Sequence, residues 1–566
     1  MIYLSSYKNL GLILILLLAA TLRLIGLKWG IPTAEILHSP FHPDEGGLGM
    51  AALSQINLEQ CDFNPETSHI EGSLTSYIWT FVAFMLQMIG ILQKMPCCFG
   101  GITEDYGTVM YASRVVVVLF DLLAVLFTFL LLKKLKNENT ALLGALILAI
   151  APFEIIYSHY MRSHIVINFF VVIVTYYSLY IYDHKGEQLR LYALLGFLAG
   201  LATAARYVAG IVVMIPVLML FYKQLLINPN KLKIRTILLT LFSRISVLGI
   251  FVIVGLFVGD PPLFLSFDSI KPVLSITVDT TAKNEFYLSN LLDLSRLWVY
   301  IRDLIPYGTL PGLWIIFYFS VIYLLFRKKY YRYTIPLILF IPIYLYPMAK
   351  GYSMPIFIRA ALIVFPIFAI LSAIAITDLM QLIKTKVRPH YAGVISAMVC
   401  AIISFILLST LAYDFAYVKG MNHDPRIALY HYLKDEPKSE LRIGIYPNGH
   451  EYFVIAPTLN VLPNKKVTFI AESPQGASVP TIPGTFSNNP TIVDYVLISA
   501  YTKIWSPDHF EFARQKIAEL TAKHYTLVKV FETPLSLGPI TFSHENNPSS
   551  DLQYPFPVLY LLKPRS

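Results

Sequence analysis

The run His42-Pro43-Asp44-Glu45, followed at once by Gly46-Gly47, holds the residues of this chain best suited to chemistry. Two adjacent carboxylates repel, and the repulsion can lift one of them towards the range of a general base. The same residue types also make an ordinary solvated turn, because Pro, Asp and Gly favour turns. Position separates the two readings. The run follows shortly after a long apolar stretch, and a carboxylate pair close to lipid is costly unless it is used or solvated.

The elements that must position this run are apolar helices. Of 566 residues, 56% are hydrophobic and only 14% charged, where a soluble protein carries about a quarter. Charge is missing altogether from 10–22, 165–182, 211–222 and 360–377, and 115–132 contains only Asp121. A membrane span needs about 20 mostly apolar residues. The 37 Tyr and 36 Phe can extend shorter runs into the interface. The first run continues past Arg23 to about Leu27, which predicts an uncleaved span and not a signal peptide. Four cysteines are too few for a disulfide framework. Cys61, Cys97 and Cys98 share one loop, where one pair could bridge, and Cys400 reads as packing.

Basic clusters orient the spans. They fall at Lys133-Lys134-Lys136, His184-Lys185 to Arg190, Lys223 to Arg235, Arg327-Lys328-Lys329-Arg332 and Lys384-Lys386-Arg388. With all five on the cytoplasmic side, eleven spans are expected, at about 9–27, 112–132, 140–157, 165–182, 191–205, 207–222, 236–257, 310–326, 333–348, 360–378 and 391–412. The apolar stretch 74–92 would place every later cluster outside if it crossed, so it is expected to lie at the interface. The fold class is then an α-helical polytopic membrane domain over 1–412, with a long first outer loop at 28–111. A soluble α/β domain follows over 413–566, outside the cytoplasm. Strands are expected at 443–446, 467–470, 494–499 and 525–531, and helices at 425–433 and 510–521. A multi-pass protein of a plasma or inner membrane, in contact with its lipids, follows from this. The net charge of +9 reads as topology and lipid attraction. No Lys/Arg tract interleaved with aromatics falls in a soluble segment, so nucleic acid is not an expected partner.

The order of motifs along the membrane part resembles the C-type glycosyltransferase superfamily. Its closest likeness is to the branch that holds the protein O-mannosyltransferases and the aminoarabinose transferase of lipid A. The residues that carry the resemblance are His42-Pro43-Asp44-Glu45, Asn64-Pro65, Glu71-Gly72-Ser73-Leu74-Thr75-Ser76-Tyr77, Arg114, Tyr160-Met161-Arg162-Ser163, Arg206-Tyr207, and Arg359 seven residues before Pro366. The tail matches loosely around Asp424-Pro425-Arg426. The resemblance implies sugar transfer from a polyprenyl-phosphate donor to a hydroxyl of a protein, lipid or glycan, with inversion, at the outer face. Asp44 would be the base and Glu45 would orient or assist. Arg206, Lys350 and Arg359 would hold the donor phosphate, since basic groups stabilise a leaving phosphate as its charge grows.

His42, Arg114, His159, Arg162, His164 and Tyr207 are further site candidates. In one respect the sequence departs from the family, which often has an acid two residues after the arginine of the second outer loop; here that position is His164. Glu154, His159 and His164 are the nearby groups that could take over its work. No cofactor is implied, and no metal-ligand spacing is visible. Phosphate-loop, GxSxG and HExxH signatures are absent. A lipid or solute transporter is the rival from another class. It would carry charge at mid-membrane depth and repeated halves, whereas charge here sits mostly at span ends.

Overall fold

The computed structural model describes residues 2–33, 40–42, 44–60, 62–65, 71–98, 104–183, 188–224, 234–268, 271, 294–351, 358–446, 458–460, 462–471, 482–483, 489–499, 509–543 and 555–565. The architecture is a helical membrane bundle carrying a C-terminal domain built on a sheet. Among the described residues, six helices are long and apolar enough to cross a membrane, or seven if a bent pair counts as one span. The expected spans 9–27, 191–205, 207–222 and 310–326 fall on shorter apolar helices, as does the interfacial stretch 74–92. Of the three cysteines of which one pair could bridge, Cys97 is in no disulfide, while Cys61 and the Cys98 side chain lie outside the described residues.

In chain order the helices that build the site are α1 (Ile2–Leu24), α2 (Leu74–Met88), α3 (Glu104–Leu135), α4 (Glu138–Ala149), α5 (Pro152–Ser158), α6 (Ser163–Ser178), α7 (Leu189–Ala205), α8 (Met214–Tyr222), α9 (Ile234–Gly259), α10 (Leu313–Leu325), α11 (Tyr331–Gly351), α12 (Phe365–Lys386) and α13 (Pro389–Gly420). The bent pair is α4 with α5, turned by 57°. The turn sits just before Pro152, which offers no N–H and bars its predecessor from helical geometry. α12 is apolar on every side and almost wholly buried, so it forms the centre of the bundle. The first two thirds of α13 are mostly exposed and would face lipid, whereas its last turns, around Tyr413, Asp414, Tyr417 and Gly420, are buried.

Small residues bring α7 and α9 together. A Cβ on Gly200 would lie 2.3 Å from the Val252 carbonyl oxygen, and one on Gly255 would lie 2.2 Å from that of Phe197. Only bare backbone permits this approach. Both helices then end at the same level, delivering Arg206-Tyr207 and Asp260 side by side. Inside the bundle, α1 and α3 share a buried ion pair, Arg23 Nε to Asp121 Oδ2 at 2.6 Å. It gives Asp121, the one mid-span charge in 115–132, a partner.

The two ends of the bundle differ in charge. Lys134 bonds Asp183 at 2.9 Å, Lys136 bonds Thr377 at 2.7 Å, Lys223 bonds the Ile181 carbonyl at 2.7 Å and Arg327 bonds Asp378 at 2.7 Å. These contacts gather the basic clusters at one end. Arg114 and Lys134 lie on the same helix, twenty residues apart, so about 30 Å separates them. That is roughly the thickness of a bilayer's hydrocarbon core.

The tail begins with α14 (Pro425–Lys434) and contains one six-stranded sheet in the order β3-β2-β1-β4-β8-β5. The strands are β1 (Glu440–Tyr446), β2 (Lys466–Ala471), β3 (Ile482–Pro483), β4 (Tyr495–Ser499), β5 (Tyr525–Phe531) and β8 (Leu559–Pro564). β6 (Leu535–Leu537) and β7 (Ile540–Phe542) form a separate hairpin. Neighbours among β1 to β4 run parallel, whereas β8 is antiparallel to both β4 and β5. β4 is buried on both faces, which fits its uninterrupted apolar run. α15 (His509–Lys523) packs against β5 and β4. The four expected strands are β1, β2, β4 and β5, and the two expected tail helices are α14 and α15. β8 was not expected.

Candidate functional site

Arg114, near the start of α3, is completely buried and fixes the loop that follows α1. Its guanidinium grips Glu45 through two parallel bonds, Nε to Oε1 at 2.9 Å and Nη2 to Oε2 at 2.6 Å. The remaining Nη1 donates to the carbonyls of Leu27 at 2.7 Å and Trp29 at 2.6 Å. Glu45 Oε1 also accepts the backbone N–H of Met161 at 2.6 Å. This carboxylate is therefore saturated and dry. It ties the first loop to α3 and to the turn before α6.

Asp44 is different. Its side chain keeps about a quarter of its surface exposed, and Oδ2 lies 3.3 Å from Arg359 Nη1 and 3.5 Å from Arg162 Nη2. Arg162 also donates to the Asp44 carbonyl at 3.1 Å. Burial would raise the Asp44 carboxyl, but Arg162 and Arg359 outweigh it and hold the group well below the usual carboxylate range. For Asp44, the expectation that repulsion from its neighbour could lift it is thus corrected. Neighbours in a helical turn point in different directions, and each acid here meets its own cation.

A second carboxylate completes the cluster. Glu71 Oε1 pairs with Arg162 Nη2 and lies 3.4 Å from Arg206 Nη1, while Ser163 Oγ donates to Oε2 at 3.3 Å. Gly72 makes this possible. Its φ of +118° suits glycine, and a Cβ there would lie 2.3 Å from the Ala204 carbonyl oxygen at the end of α7. Tyr207 N–H bonds the Glu71 carbonyl at 3.1 Å. Asp260, at the end of α9, accepts from Ser73 Oγ at 2.6 Å and from Tyr207 Oη at 2.8 Å. Tyr207 is thereby a structural neighbour of the cluster.

Arg206 Nη1 is in direct contact with His164 Nε2. A guanidinium only donates, so Nε2 accepts and the imidazole is neutral there. His164, Arg206 and Arg359 line one open cleft, together with Asn168, Tyr344 and Met348. Asn168 in turn donates to the buried Glu154 at 2.7 Å. The position two residues after Arg162 thus holds a neutral imidazole bound to a cation, and Glu71 brings a carboxylate to Arg162 and Arg206 from another loop. Arg206 and Arg359 line the cleft itself, and with Arg162 they pair with Asp44 and Glu71, so three guanidinium groups meet two carboxylates in this cluster, a charge balance that suits an anion.

Two candidate histidines are fully buried. His159 is fully buried with its ring nitrogens 2.7 Å from the carbonyl oxygens of Ile155 and Ile25, a packing position. His42 is also buried, its ring 4.4 Å from that of Tyr160. Burial, opposed by Asp44 and helped by Arg162 and Arg359, lowers its imidazole to about 3. It is neutral at any working pH. The backbone of Lys350 closes α11, while its side chain lies outside the described residues. No group of three or more His, Cys, Asp or Glu gathers as a metal site among the described residues.

Five candidates therefore converge: Asp44, Arg162, His164, Arg206 and Arg359. Glu71 and Asp260 join them without having been singled out. Glu71 stood in the family-like stretch, and its place two residues before a helix-opening Ser73 was the available signal.

Residues 101–255 match the family model described as dolichyl-phosphate-mannose-protein mannosyltransferase. That is the branch the sequence motifs resemble, and the matched stretch contains Arg114, Arg162, His164 and Arg206. Among curated proteins none matches. Solved structures similar to this chain include the archaeal oligosaccharyltransferase from Archaeoglobus fulgidus in complex with an inhibitory peptide and a dolichol-phosphate. It is 12% identical with a TM-score of 0.48, over 97% of this chain and 78% of that one. ArnT from Cupriavidus metallidurans bound to undecaprenyl phosphate is 11% identical, with a TM-score of 0.45 and 97% of both chains covered. The protein O-mannosyltransferase complex of S. cerevisiae bound to the sugar donor is 15% identical, with a TM-score of 0.35 over 47% of this chain and 34% of that one.

Proposed function

We propose that this chain is a glycosyltransferase that moves a sugar from a polyprenyl-phosphate carrier to an acceptor hydroxyl at the extracytoplasmic face. The observation that carries the reading is a partly exposed carboxylate, Asp44, beside a cleft lined by Arg206 and Arg359. In the step envisaged, the acceptor oxygen attacks the anomeric carbon from the face opposite the phosphate, with inversion. The bond from that carbon to the phosphate oxygen breaks and its electron pair stays on the phosphate. The acceptor proton passes to Asp44. The lipid phosphate gains one negative charge, which Arg359 and Arg206 stabilise; Lys350 is a third donor proposed for the same anion. Glu45 orients the loop through Arg114. The membrane part, 1–412, builds the cleft, and the tail, 413–566, covers it or helps to select the acceptor.

A carboxylate held far below its usual range is a weak base. Donor binding supplies the remedy, because a phosphate that engages Arg359 weakens the hold of that guanidinium on Asp44. Asp44 then becomes more basic only when donor is present. The sign of the pH dependence follows. kcat/KM, which reports the free protein, should stay flat from about pH 8 down through the ordinary carboxylate range. The acid limb of kcat, which reports the loaded protein, should lie at higher pH than that of kcat/KM. His42 adds no limb near neutrality. Coincident limbs in the two profiles would remove the coupling.

Arg359→Lys keeps the charge but not the planar fork, so weak transfer should survive. Arg359→Ala should lose more, with donor KM rising. Full transfer by Arg359→Ala would take this residue out of the site.

Sidedness is tested by labelling. In a chain whose four cysteines are replaced by serine, Thr526→Cys on the exposed face of β5 should react with an impermeant reagent in intact cells. Lys328→Cys, at the basic end, should not. The reverse pattern would put donor and base on the cytoplasmic side and contradict the reading.

A further inference from the structure

The acid loop is held from two sides, and one of them belongs to the tail. Asp424, the cap of α14, is almost fully buried and accepts the indole N–H of Trp29 at 2.8 Å. It also takes the Arg426 backbone N–H at 2.8 Å and both arms of the Arg426 guanidinium at 2.9 and 2.6 Å. That guanidinium lies over the loop's rings, its central carbon 3.6 Å from the centre of the Phe41 ring and 5.6 Å from that of Trp29. Phe41 directly precedes His42 and stands three residues from Asp44. Its backbone N–H bonds the Gly30 carbonyl at 3.2 Å, and Gly30, at φ +62°, passes so close that a Cβ would lie 2.7 Å from Phe41 Cβ. Trp29 meanwhile lends its carbonyl to Arg114, the residue that grips Glu45.

Asp424 and Arg426 are separated from residues 29–45 by nearly 400 positions in sequence, and both are dehydrated. A charged pair taken out of water in this way is a poor source of stability. What it supplies is geometry: a planar cation held over an aromatic ring, fixed in orientation by a two-armed bond to its own cap. Through Phe41 and Trp29 this geometry reaches Asp44 and Glu45 at the same time.

We infer that Asp424 and Arg426 are positioning residues for the acid loop, so that the tail is part of the catalytic apparatus and not only a cover. The inference rests on the reading of Asp44 as the base. Misplacement of a reacting group by about 1 Å costs on the order of 100-fold in rate, so a loosened latch is read in turnover. The phosphate site is on the membrane helices and should not notice.

The test uses the full chain in lipid, with Arg426→Lys, which keeps charge and loses the planar guanidinium, and Phe41→Leu, which keeps an apolar group and loses the ring. Each is compared with wild type for kcat, donor KM and hydrogen exchange of backbone amides. The expected result is a fall in kcat of about 10–100-fold with donor KM within about twofold. Exchange should quicken over 41–55 and stay as in wild type over 207–222. Combined, the two changes should cost little more than either alone, because they break one contact. Unchanged exchange over 41–55 in both variants would overturn the inference. So would a fall in kcat matched by faster exchange throughout the bundle, which marks a merely structural role. Should wild type transfer no sugar at all, the reading of Asp44 fails, and the exchange comparison still decides whether the tail sets the loop.

Discussion

Asp44→Asn should lower turnover by roughly 10²–10⁴-fold, the usual weight of a general base, while leaving the donor bound at least as well as before. Asparagine keeps the size of the side chain and can still accept from a guanidinium. It cannot take the acceptor's proton. Loss of the carboxylate charge also frees Arg359 and Arg162 from their shared partner at 3.3 and 3.5 Å. More positive charge then faces the lipid phosphate, so polyprenyl phosphate should bind more tightly in the variant. A fall in turnover together with tighter product binding is a signature that neither misfolding nor a solvated turn can imitate. Wild-type turnover in Asp44→Asn would refute the catalytic assignment.

The largest effect on stability is expected at Arg114. Arg114→Ala leaves Glu45 as a buried carboxylate with, among the described residues, the Met161 N–H against it, and removes the donors to the Leu27 and Trp29 carbonyls. Breaking a buried pair from one side costs about 3–5 kcal/mol. The variant should melt well below wild type in detergent. Glu45→Gln should do less harm, since an amide can still accept from the guanidinium. Replacing both partners, as in Arg114→Met with Glu45→Leu, should recover part of the stability because no charge is left stranded. Arg114→Ala with a wild-type melting temperature would mean that the pair does not anchor the loop.

How much of this could be read from sequence depends on the kind of contact. The apolar runs and the abrupt return of polar residues after about 413 mark the helical bundle and the sheet domain, because burial in lipid or core is written in local composition. Strands β1, β2, β4 and β5 are apolar runs between turn residues, and they were visible for that reason. β8 was not, though among the described residues β5 pairs with no other strand; its partners lie 28 to 66 residues back in the chain, and pairing at that range leaves no local pattern.

In the site, arginines at span ends stood out because charge is scarce in these runs. Their partners did not. Glu71 meets Arg162 and Arg206 from 91 and 135 residues away, and Asp260 meets Ser73 from 187. Both are ordinary acids in loops until the helices close around them. His159 looked equal to His164 by position, but one turn of chain decides that His159 faces the carbonyls of Ile25 and Ile155 while His164 faces Arg206. The direction of the Asp44 shift was likewise beyond sequence, since adjacency says nothing of which cations the fold brings to each acid.

The central claim is transfer of a sugar from a lipid monophosphate, and one measurement meets it directly. Purified chain in lipid is incubated with a panel of radiolabelled polyprenyl-phosphate sugars and a mixture of protein, lipid and glycan acceptors, with Asp44→Asn alongside. The account predicts that one donor yields labelled acceptor and free polyprenyl phosphate in equal amounts, and that the variant yields almost none. Binding of polyprenyl phosphate by wild type with no label transferred from any donor, or equal transfer by Asp44→Asn, would contradict it.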